Sequence, residues 1–321
     1  MLEVCRVPRV SIIVATYNQA GFIKESLESA FQQSFKDFEI VVVDDGSTDD
    51  TESVLEPYRD RIRYFYQTNS GPASAHNLGI ENSFGQLVAF LNSDDLWLPH
   101  KLEIQVRYLD QHPEVGLVHG DYVRIDAEGR QIGSSIHTRR PPSLTFADLI
   151  RHNTIGMSTV VVRKKWLEKV SGLDPGSNPT EDFDLWLRLA QAGCRFAYVP
   201  SVVGKWRRHS ASISASRIRV HQAHIRILRK LEGLCDARSA EGRRTLRMIR
   251  KKVLREKRIL CMEQCREAER AEARRLALEI IRERTVDPRS WFVLGTVLLP
   301  PGAVGILAPL RQRIGKTIRR W

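Results

Sequence analysis

Residues 9–48 have the sequence RVSIIVATYNQAGFIKESLESAFQQSFKDFEIVVVDDGST, and this stretch decides the fold. Residues 9–15 form a continuous apolar run, rich in β-branched side chains, which is typical of a strand buried on both faces. From Ala20 to Gln33, apolar residues recur at the spacing of an α-helix. A second apolar run at 38–43 predicts another buried strand. Two such strands joined by a helix indicate a right-handed parallel crossover.

The alternation of helices and strands continues beyond this stretch. Further elements are predicted at four places, with helices near 49–57 and 71–83 and strands near 62–66 and 86–91. After Trp97 the order becomes mixed, and a hairpin is predicted at 121–133. This order predicts an α/β fold with a mixed, mostly parallel sheet flanked by helices. Ligands of such sheets bind beyond the carboxyl ends of the strands.

Two acidic pairs lie at predicted strand ends. Asp94-Asp95 follows a buried strand, where adjacent carboxylates repel each other unless a cation neutralises them, and their oxygen atoms suit Mg²⁺ or Mn²⁺. Asp44-Asp45 follows the strand at 38–43 and is suited to accept hydrogen bonds from the base or ribose of a nucleotide. Both pairs also have a structural interpretation as helix N-caps. The metal interpretation is favoured at Asp94-Asp95 because a second acidic pair faces the same edge.

Two common nucleotide-binding motifs are missing. No G-x-G-x-x-G follows the first strand, where Thr16-Tyr17-Asn18 stands instead, so a dinucleotide-binding fold is disfavoured. No G-x-x-x-x-G-K-[ST] is present, which excludes a P-loop protein. A nucleotidyltransferase that makes sugar nucleotides is the alternative enzyme class, although it normally begins with a glycine-rich loop that this sequence lacks.

Four motifs, in order, resemble the family-2 glycosyltransferases, which have the GT-A fold. They are VSIIVATYNQAGFIKESLESAFQQSFKDFEIVVVDDGSTDDT, GPASAHNLGI, LVAFLNSDDLWLPHKLE and TEDFDLWLRLAQAG, and the resemblance covers roughly residues 8–215. It implies a nucleotide-sugar-binding half at 1–108 and an acceptor-binding half at 109–215 of one GT-A domain. It also implies an inverting enzyme that transfers a sugar from a nucleotide-diphosphate donor to a hydroxyl acceptor.

The resemblance also implies residues that bind the donor. Ala15, Thr16 and Tyr17 would line the pocket for the nucleotide base, and Asp45 would contact the base or the ribose. His76 stands where many relatives carry arginine, so its contact with the donor would be weaker or pH-dependent.

The same resemblance assigns the metal and the catalytic base. Asp94 and Asp95 would correspond to the family's Asp-x-Asp motif, and Asp95 would be the direct ligand of the Mn²⁺ or Mg²⁺ that bridges the donor diphosphate. Glu181-Asp182 resembles the acidic pair that opens a helix over the acceptor site, where it has a capping interpretation too. There Asp182 would act as general base and remove the acceptor proton during the displacement.

The segment Trp206-Arg207-Arg208-His209 resembles a loop that closes over the donor phosphates in relatives. Arg207 or Arg208 would pair with phosphate oxygens, and His209 would approach the metal. The alternative is that His209 is a surface residue. The Q-x-x-R-W motif of processive relatives is missing, so we expect the transfer of one sugar per encounter.

Positive charge is concentrated in the last third of the chain. The whole chain carries +12, yet 217–284 contains 21 Lys and Arg against 10 Asp and Glu, and 1–216 is net negative. The sequence therefore predicts a basic helical appendage at 216–285 that faces an anionic surface. A non-enzymatic nucleic-acid-binding adaptor is the alternative, but 217–284 has no aromatic side chain for base stacking. We therefore expect no nucleic-acid partner.

The end of the sequence predicts membrane association. Residues 290–310 carry no charge, and Pro300-Pro301-Gly302 divides this run into halves too short to cross a bilayer. We expect 286–321 to lie in the interface of an anionic membrane, although packing against protein is the alternative. Five cysteines without a C-x-x-C pair fit a reducing compartment, and no signal peptide is recognised. Together these features predict a cytoplasmic protein, peripheral on the inner face of the cell membrane.

Overall fold

The computed structural model describes residues 7–133, 143–210, 212, 216–267, 269–283 and 287–298. The chain divides into two units, Met1–Ala215 and Ser216–Trp321. The first unit contains a sheet of eight strands with helices, and the described part of the second unit consists of helices.

The sheet is built from strands spread over most of the first unit. They are β1 (Val10–Thr16), β2 (Phe38–Asp44), β3 (Arg63–Tyr66), β4 (Leu87–Phe90), β5 (Leu96–Trp97), β6 (Leu117–Ile125), β7 (Val160–Arg163) and β8 (Phe196–Arg207). Their order in the sheet is β3-β2-β1-β4-β7-β6-β8-β5. The first four strands are parallel, β7 is antiparallel to both of its neighbours, and β8 is parallel to β6. Because the two antiparallel steps around β7 cancel, β8 ends at the same edge of the sheet as β1, β2 and β4.

Seven helices accompany this sheet in the described part of the first unit. They are α1 (Ile23–Phe31), α2 (Thr51–Leu55), α3 (Pro72–Glu81), α4 (Lys101–Gln111), α5 (Phe146–Arg151), α6 (Lys164–Lys169) and α7 (Glu181–Gln191). The predicted α/β class is confirmed, with a mixed, mostly parallel sheet between helices.

The β1 strand is buried on both faces, as its unbroken apolar sequence predicts. Ile12 and Val14 belong to the same core cluster as Ile23 and Leu27 of α1. On α3, a Cβ added to Gly79 would lie 2.5 Å from Cγ2 of Ile13, so the missing side chain lets this helix approach the strand closely. Truncating a buried leucine such as Leu27 to alanine would cost about 2–5 kcal/mol.

One predicted element of the first unit is shorter in the structure and another differs. The hairpin expected at 121–133 is present only around its turn: β6 runs to Ile125, which pairs antiparallel with Gln131, and the N–H groups of Asp126 and Ile132 donate to the carbonyls of Arg130 and Arg124. Trp206 and Arg207, expected in a loop, are the last residues of β8. Pro200 and Ser201 interrupt the apolar pattern of this strand, so its sequence does not show the usual alternation. Residues 134–142, part of the Arg- and Pro-rich loop, lie outside the described residues.

The second unit contains α8 (Arg217–Leu234), α9 (Ala240–Arg266), α10 (Arg270–Glu283) and α11 (Pro288–Leu298). Apolar residues of the last three helices form a small core, namely Leu254, Cys261, Ala273, Ala277, Ile280, Val293 and Val297. This confirms the predicted C-terminal helical appendage. Among the described residues, no helix is both long enough and apolar enough to cross a bilayer. The remainder of the predicted tail, 299–321, lies outside the described residues.

Candidate active site

The polar side chains predicted at strand ends lie along one edge of the sheet. Asp45 follows β2, the Asp94-Asp95 pair follows β4, and both strands are direct neighbours of β1. Two strand spacings of about 4.8 Å place the ends of β2 and β4 about 10 Å apart, which is the width of a small ligand. The end of β8 brings Arg207 to the same edge, where it contacts the Asp94-Asp95 pair directly.

Asp45 is buried and organises the loop before α3. Its Oδ1 accepts hydrogen bonds from the Gln67 side chain at 2.6 Å and from the Ser70 N–H at 2.8 Å, and its Oδ2 accepts one from the Gly71 N–H at 2.8 Å. Asp44, in contrast, caps its own turn by accepting from the Ser47 N–H at 2.8 Å. Asp44 thus stabilises a turn and not the N-terminus of the following helix, whose N-cap position is Asp50, while Asp45 holds the loop before α3.

Residues at the end of β1 lie beside Asp45, whose N–H donates to the Thr16 carbonyl at 2.8 Å. Ala15 is half-buried, Thr16 is buried and Tyr17 is 44% exposed. Among the described residues, the Thr16 hydroxyl has no hydrogen-bond partner, although its oxygen is buried. An unpartnered buried hydroxyl is costly, so this position is suited to a polar group of a ligand.

Asp95 is a fully buried carboxylate at this edge. Its Oδ2 accepts hydrogen bonds from Ser158 Oγ at 2.5 Å and from Asn92 Nδ2 at 3.0 Å, and its Oδ1 accepts one from the Arg207 N–H at 3.0 Å. Burial and the neighbouring Asp94 carboxylate raise the pKa of Asp95 well above its ordinary range. Two adjacent carboxylates in this setting are more stable when a cation lies nearby.

Asp94 is the more open carboxylate of the pair. Its side chain is 19% exposed, and its Oδ2 lies 3.1 Å from Nε2 of His209. The sequence singled out Asp95 as the direct metal ligand, whereas the structure turns Asp94 toward the histidine. The ligand atoms of Asp94, Asp95 and His209 do not form a trio within 4.8 Å of one another in the described part of the chain. Their oxygen and imidazole atoms nevertheless suit a divalent cation held by Asp94 and His209.

Arg207 occupies a different place from the one that the sequence indicated. Its side chain is 1% exposed, and its guanidinium donates from Nε to the Asp94 carbonyl at 2.9 Å and from Nη1 to the Ala127 carbonyl at 2.8 Å. Nη2 donates to the Glu25 carboxylate of α1. Because β8 ends here, the arginine joins three elements and positions the Asp94-Asp95 pair instead of reaching toward a phosphate.

Arg208 and His209 are the residues after β8. Arg208 is exposed, with its guanidinium carbon 5.6 Å from the centre of the Trp206 ring, so it is the arginine of this pair that remains accessible to a phosphate. The His209 side chain is largely buried, and its ring centre lies 4.5 Å from that of Phe22. His209 is therefore not the surface residue of the alternative interpretation.

His76 lies in α3 and is buried beneath the edge. Its Nδ1 bonds the Pro72 carbonyl at 2.8 Å, its ring contacts Phe90 edge-on at 5.4 Å, and its Nε2 is buried without a partner. Burial lowers the pKa of His76 to about 4, although the Pro72 carbonyl and the Asp45 charge oppose this shift. The imidazole is therefore neutral at pH 7, and its contact with a donor would be a hydrogen bond instead of the ion pair of an arginine.

Glu181 and Asp182 begin α7, as the sequence predicted for a helix opening there. Burial and the Asp182 charge raise the pKa of Glu181 to about 7, and Oε2 of Glu181 has no hydrogen-bond partner in the structure. Asp182 Oδ1 accepts a hydrogen bond from the Phe183 N–H at 2.6 Å.

The segment before α7 lies against the Asp45 loop. The Asn178 side chain packs so closely on Gly71 that a Cβ there would lie 2.4 Å from the amide nitrogen, and Gly71 donates its N–H to Asp45. Gly71 also has φ of +87°, a conformation that side chains rarely adopt. This contact places the segment before α7 beside the loop that Asp45 holds.

Several functional residues could not be chosen from sequence. Ser158 and Glu25 bond Asp95 and Arg207 from 63 and 182 residues away, and no local pattern marks them. Asn178 belongs to the same group. Asn92 was within the quoted motif, and its position three residues before Asp95 is the only signal that was available.

Comparisons with known proteins agree with this architecture. The family model described as Glycosyl transferase family 2 matches residues 11–170. The putative teichuronic acid biosynthesis glycosyltransferase TuaG of Bacillus subtilis is 30% identical over 231 residues, which cover 71% of this chain and 90% of TuaG. The Escherichia coli UDP-Glc:alpha-D-GlcNAc-diphosphoundecaprenol beta-1,3-glucosyltransferase WfaP is 29% identical, with 67% and 84% covered.

Some relatives are much longer than the matching region. An uncharacterized glycosyltransferase of Rickettsia bellii is 34% identical over 189 residues, which are 57% of this chain and 27% of that protein. The chain thus spans about a quarter of the length of that relative.

Solved structures show the same fold. Staphylococcus aureus TarS 1–349 in complex with UDP-GlcNAc superposes with a TM-score of 0.64 at 19% identity, covering 90% of each chain. The mannosyltransferase PcManGT of Pyrobaculum calidifontis, in complex with GDP-Man and Mn²⁺, has a TM-score of 0.59 at 21% identity, covering 94% of this chain and 87% of that one. The fold, the ordered motifs and the extended match to TuaG show that this chain belongs to glycosyl transferase family 2.

Proposed function

We propose that this chain is an inverting, metal-dependent glycosyltransferase that transfers one sugar from a nucleotide-diphosphate donor to a hydroxyl acceptor in cell-envelope glycan synthesis. The observation that carries the proposal is the junction of β4, β8 and α1, where Arg207 holds the Asp94-Asp95 pair at the same edge as Asp45. This edge is where open α/β sheets bind nucleotides.

The donor binds along the ends of β1 and β2. Thr16 and the neutral His76 supply buried polar atoms without partners, and Asp45 retains lone pairs for the ribose or base. The complexes of TarS with UDP-GlcNAc and of PcManGT with GDP-Man support a nucleotide sugar as the donor. Tyr17 and Ala15 close the base pocket, and Arg208 pairs with the phosphates.

A divalent cation is proposed between Asp94 and His209, with Asp95 beside it as a buried carboxylate. Mn²⁺ in the PcManGT structure supports this choice, and Mg²⁺ has the same preference for oxygen ligands. When bound, the cation would stabilise the negative charge that develops on the departing diphosphate. The buried network from Ser158, Asn92 and the Arg207 N–H then prevents Asp95 from turning away.

Asp182 acts as the general base for the acceptor. It removes the proton of the acceptor hydroxyl while that oxygen attacks the anomeric carbon, and a single displacement of this kind inverts the configuration. Glu181 shares catalysis as a neighbour whose raised pKa, about 7, keeps much of its carboxyl protonated and available as a hydrogen-bond donor.

The acceptor is a glycan or lipid-linked glycan at the inner face of the cell membrane. The names of WfaP and TuaG support envelope glycans, and WfaP acts on a diphosphoundecaprenol-linked sugar. On α11, Trp291 and Leu298 are 53% and 57% exposed, which gives this helix an outward apolar surface. A basic sequence follows α11. An apolar helix surface together with basic residues is typical of a segment that lies in the interface of an anionic membrane.

The transfer itself is tested with the full chain, a panel of UDP and GDP sugars, and lipid-linked glycan acceptors, with and without Mn²⁺. We expect metal-dependent release of nucleoside diphosphate and, by mass spectrometry, one added sugar with inverted anomeric configuration. Release of pyrophosphate would indicate a nucleotidyltransferase, and a ladder of products would contradict single transfer.

The membrane role is tested by flotation with vesicles that contain anionic or only neutral lipids. We expect the full chain to float with the anionic vesicles and a chain without 299–321 to lose most of this binding. Cutting after Leu298 keeps Val293 and Val297 in the core of the second unit. Equal flotation of the two proteins would contradict membrane binding by the tail.

A further inference from the structure

Three side chains in the second unit converge at the contact between α8 and α9. His221 and His224 lie three residues apart on one face of α8, and Glu256 lies opposite on α9. Nδ1 of His221 is 2.6 Å and Nδ1 of His224 is 3.3 Å from the same oxygen, Oε2 of Glu256. In the described part of the chain, they are the only trio of His, Cys, Asp or Glu whose ligand atoms all lie within 4.8 Å of one another.

Neighbouring side chains hold the Glu256 carboxylate in an orientation suited to binding a cation. It is 3% exposed, and Lys252 Nζ holds its other oxygen, Oε1, at 3.0 Å. Lys252 thus directs Oε2 toward the two imidazoles, as partners of ligating carboxylates do in metal sites.

We propose that His221, His224 and Glu256 form a binding site for a divalent transition metal of the Zn²⁺ class, separate from the glycosyltransferase site. Two imidazoles and one carboxylate suit Zn²⁺, with a water molecule as the fourth ligand, and they suit Mg²⁺ and Mn²⁺ poorly. Ligand atoms around tetrahedral zinc are about 3.3 Å apart, so only small side-chain movements are needed from the distances observed.

The position of the site gives the metal a structural effect. The two histidines and the glutamate belong to different helices, and α9 also carries Leu254 and Cys261 of the second unit's core. A metal that binds only the folded arrangement stabilises it by mass action, by a factor set by its concentration over the dissociation constant. The side chains of His221 and His224 are 13% and 15% exposed, so the metal can enter from solvent.

The site is tested with the full chain, freed of metal by a chelator and titrated with Co²⁺ in excess Mg²⁺. Tetrahedral Co²⁺ absorbs visible light, and we expect a saturable band at one equivalent that Zn²⁺ displaces. The absence of a saturable visible band in the titration of the unmodified chain would overturn the proposal, whatever the variants do.

Variants then assign the ligands. We expect His224→Gln and Glu256→Gln to weaken Zn²⁺ binding by at least about 10–100-fold. His112→Gln, which changes a histidine of the first unit with a 43% exposed side chain, should leave it unchanged, and so should Asp94→Asn. Unaltered Zn²⁺ affinity in both ligand variants, with circular dichroism unchanged, would show that the three side chains form only an internal hydrogen-bond network.

Discussion

The two units hold carboxylate and imidazole groups in different ways. In the first unit, Asp94 follows β4 and meets His209, which follows β8; β7 and β6 separate these strands in the sheet, and the Asp94 carboxylate stays partly open. In the second, His221 and Glu256 project from helices that face each other, and the carboxylate is almost fully buried. The same residue types therefore form two different sites. The partly open one in the first unit suits a cation that also binds a phosphate, and the more buried one in the second unit suits a cation held by protein side chains.

The surroundings of the two sites differ as well. Residues 1–216 are net negative, whereas 217–284 has an excess of 11 positive charges. A carboxylate in the second unit is consequently surrounded by lysine and arginine, as Lys252 shows at Glu256. At Asp95 and Glu181 of the first unit, burial and then an acidic neighbour raise the carboxyl pKa instead.

The largest expected effect comes from Asp182, the proposed general base of the first unit. Asp182→Asn should lower kcat by about 10²–10⁴-fold while the affinity for nucleoside diphosphate stays within about twofold, because a general base acts on the acceptor and not on the donor. Single-turnover kinetics and calorimetric binding would measure the two quantities. Exposed Glu52→Gln is the control. Near-normal turnover in Asp182→Asn would remove the base from this site.

The next prediction separates the two cation sites. Asp94→Asn should lower Mn²⁺-dependent turnover by about 100-fold, about 2.7 kcal/mol, and leave Zn²⁺ binding in the second unit unchanged. Asp95→Asn should lower turnover similarly, because its partners Ser158 and Arg207 then hold a neutral amide. Metal titrations of activity measure both. If Asp94→Asn keeps the wild-type response to Mn²⁺, the cation is not held there.

Of the two neighbouring arginines of the first unit, Arg207 should affect mainly stability and Arg208 mainly donor binding. Arg207→Met should lower the free energy of unfolding by about 3 kcal/mol, because the Asp94 and Ala127 carbonyls and the Glu25 carboxylate lose their guanidinium donor. Arg208→Met should change stability by less than about 0.5 kcal/mol and raise the donor KM by about 10-fold. Urea unfolding and steady-state kinetics measure these. If Arg207→Met raised the donor KM and left stability unchanged, Arg207 would be the phosphate-binding arginine.

The smallest effect concerns the pH dependence of stability. Because the pKa of Glu181 is raised from 4.5 to about 7 in the folded chain, its ionisation destabilises the fold as pH rises from about 4.5 to about 7. Glu181→Gln should therefore equal wild type at pH 4 and be more stable above pH 7, by on the order of 2 kcal/mol. Unfolding at several pH values measures this, with Glu56→Gln as control. A constant difference at all pH values would contradict the assignment.

Much of the first unit could be predicted from local sequence. The run at 9–15 and the run at 38–43 are mostly apolar and rich in β-branched residues, which is the pattern of a strand covered on both faces. The acidic pairs could be located for the same reason, since polar residues directly after a buried strand must lie at its end. The helix opening at Glu181 followed from an acidic first turn.

The strand β8 and its arginine could not be predicted in this way. Its sequence contains a proline and polar residues, and its place in the sheet depends on β6, from which it lies about 80 residues away. Burial of Arg207 follows from that placement, since the surrounding carbonyls come from segments distant in the chain. A basic pair beside a tryptophan therefore suggested a phosphate contact for either arginine, whereas the fold buries Arg207 and leaves Arg208 exposed.

The sequence by itself determined the class of the sheet, the family and the acidic residues at the strand ends, because these depend on periodicity and motifs within short segments. Only the tertiary structure decided which of Asp94 and Asp95 stays open, which arginine is buried, and that His221 and His224 meet Glu256. These outcomes depend on contacts between residues far apart in the chain. Such contacts are set by how strands and helices pack together, and no local pattern records them.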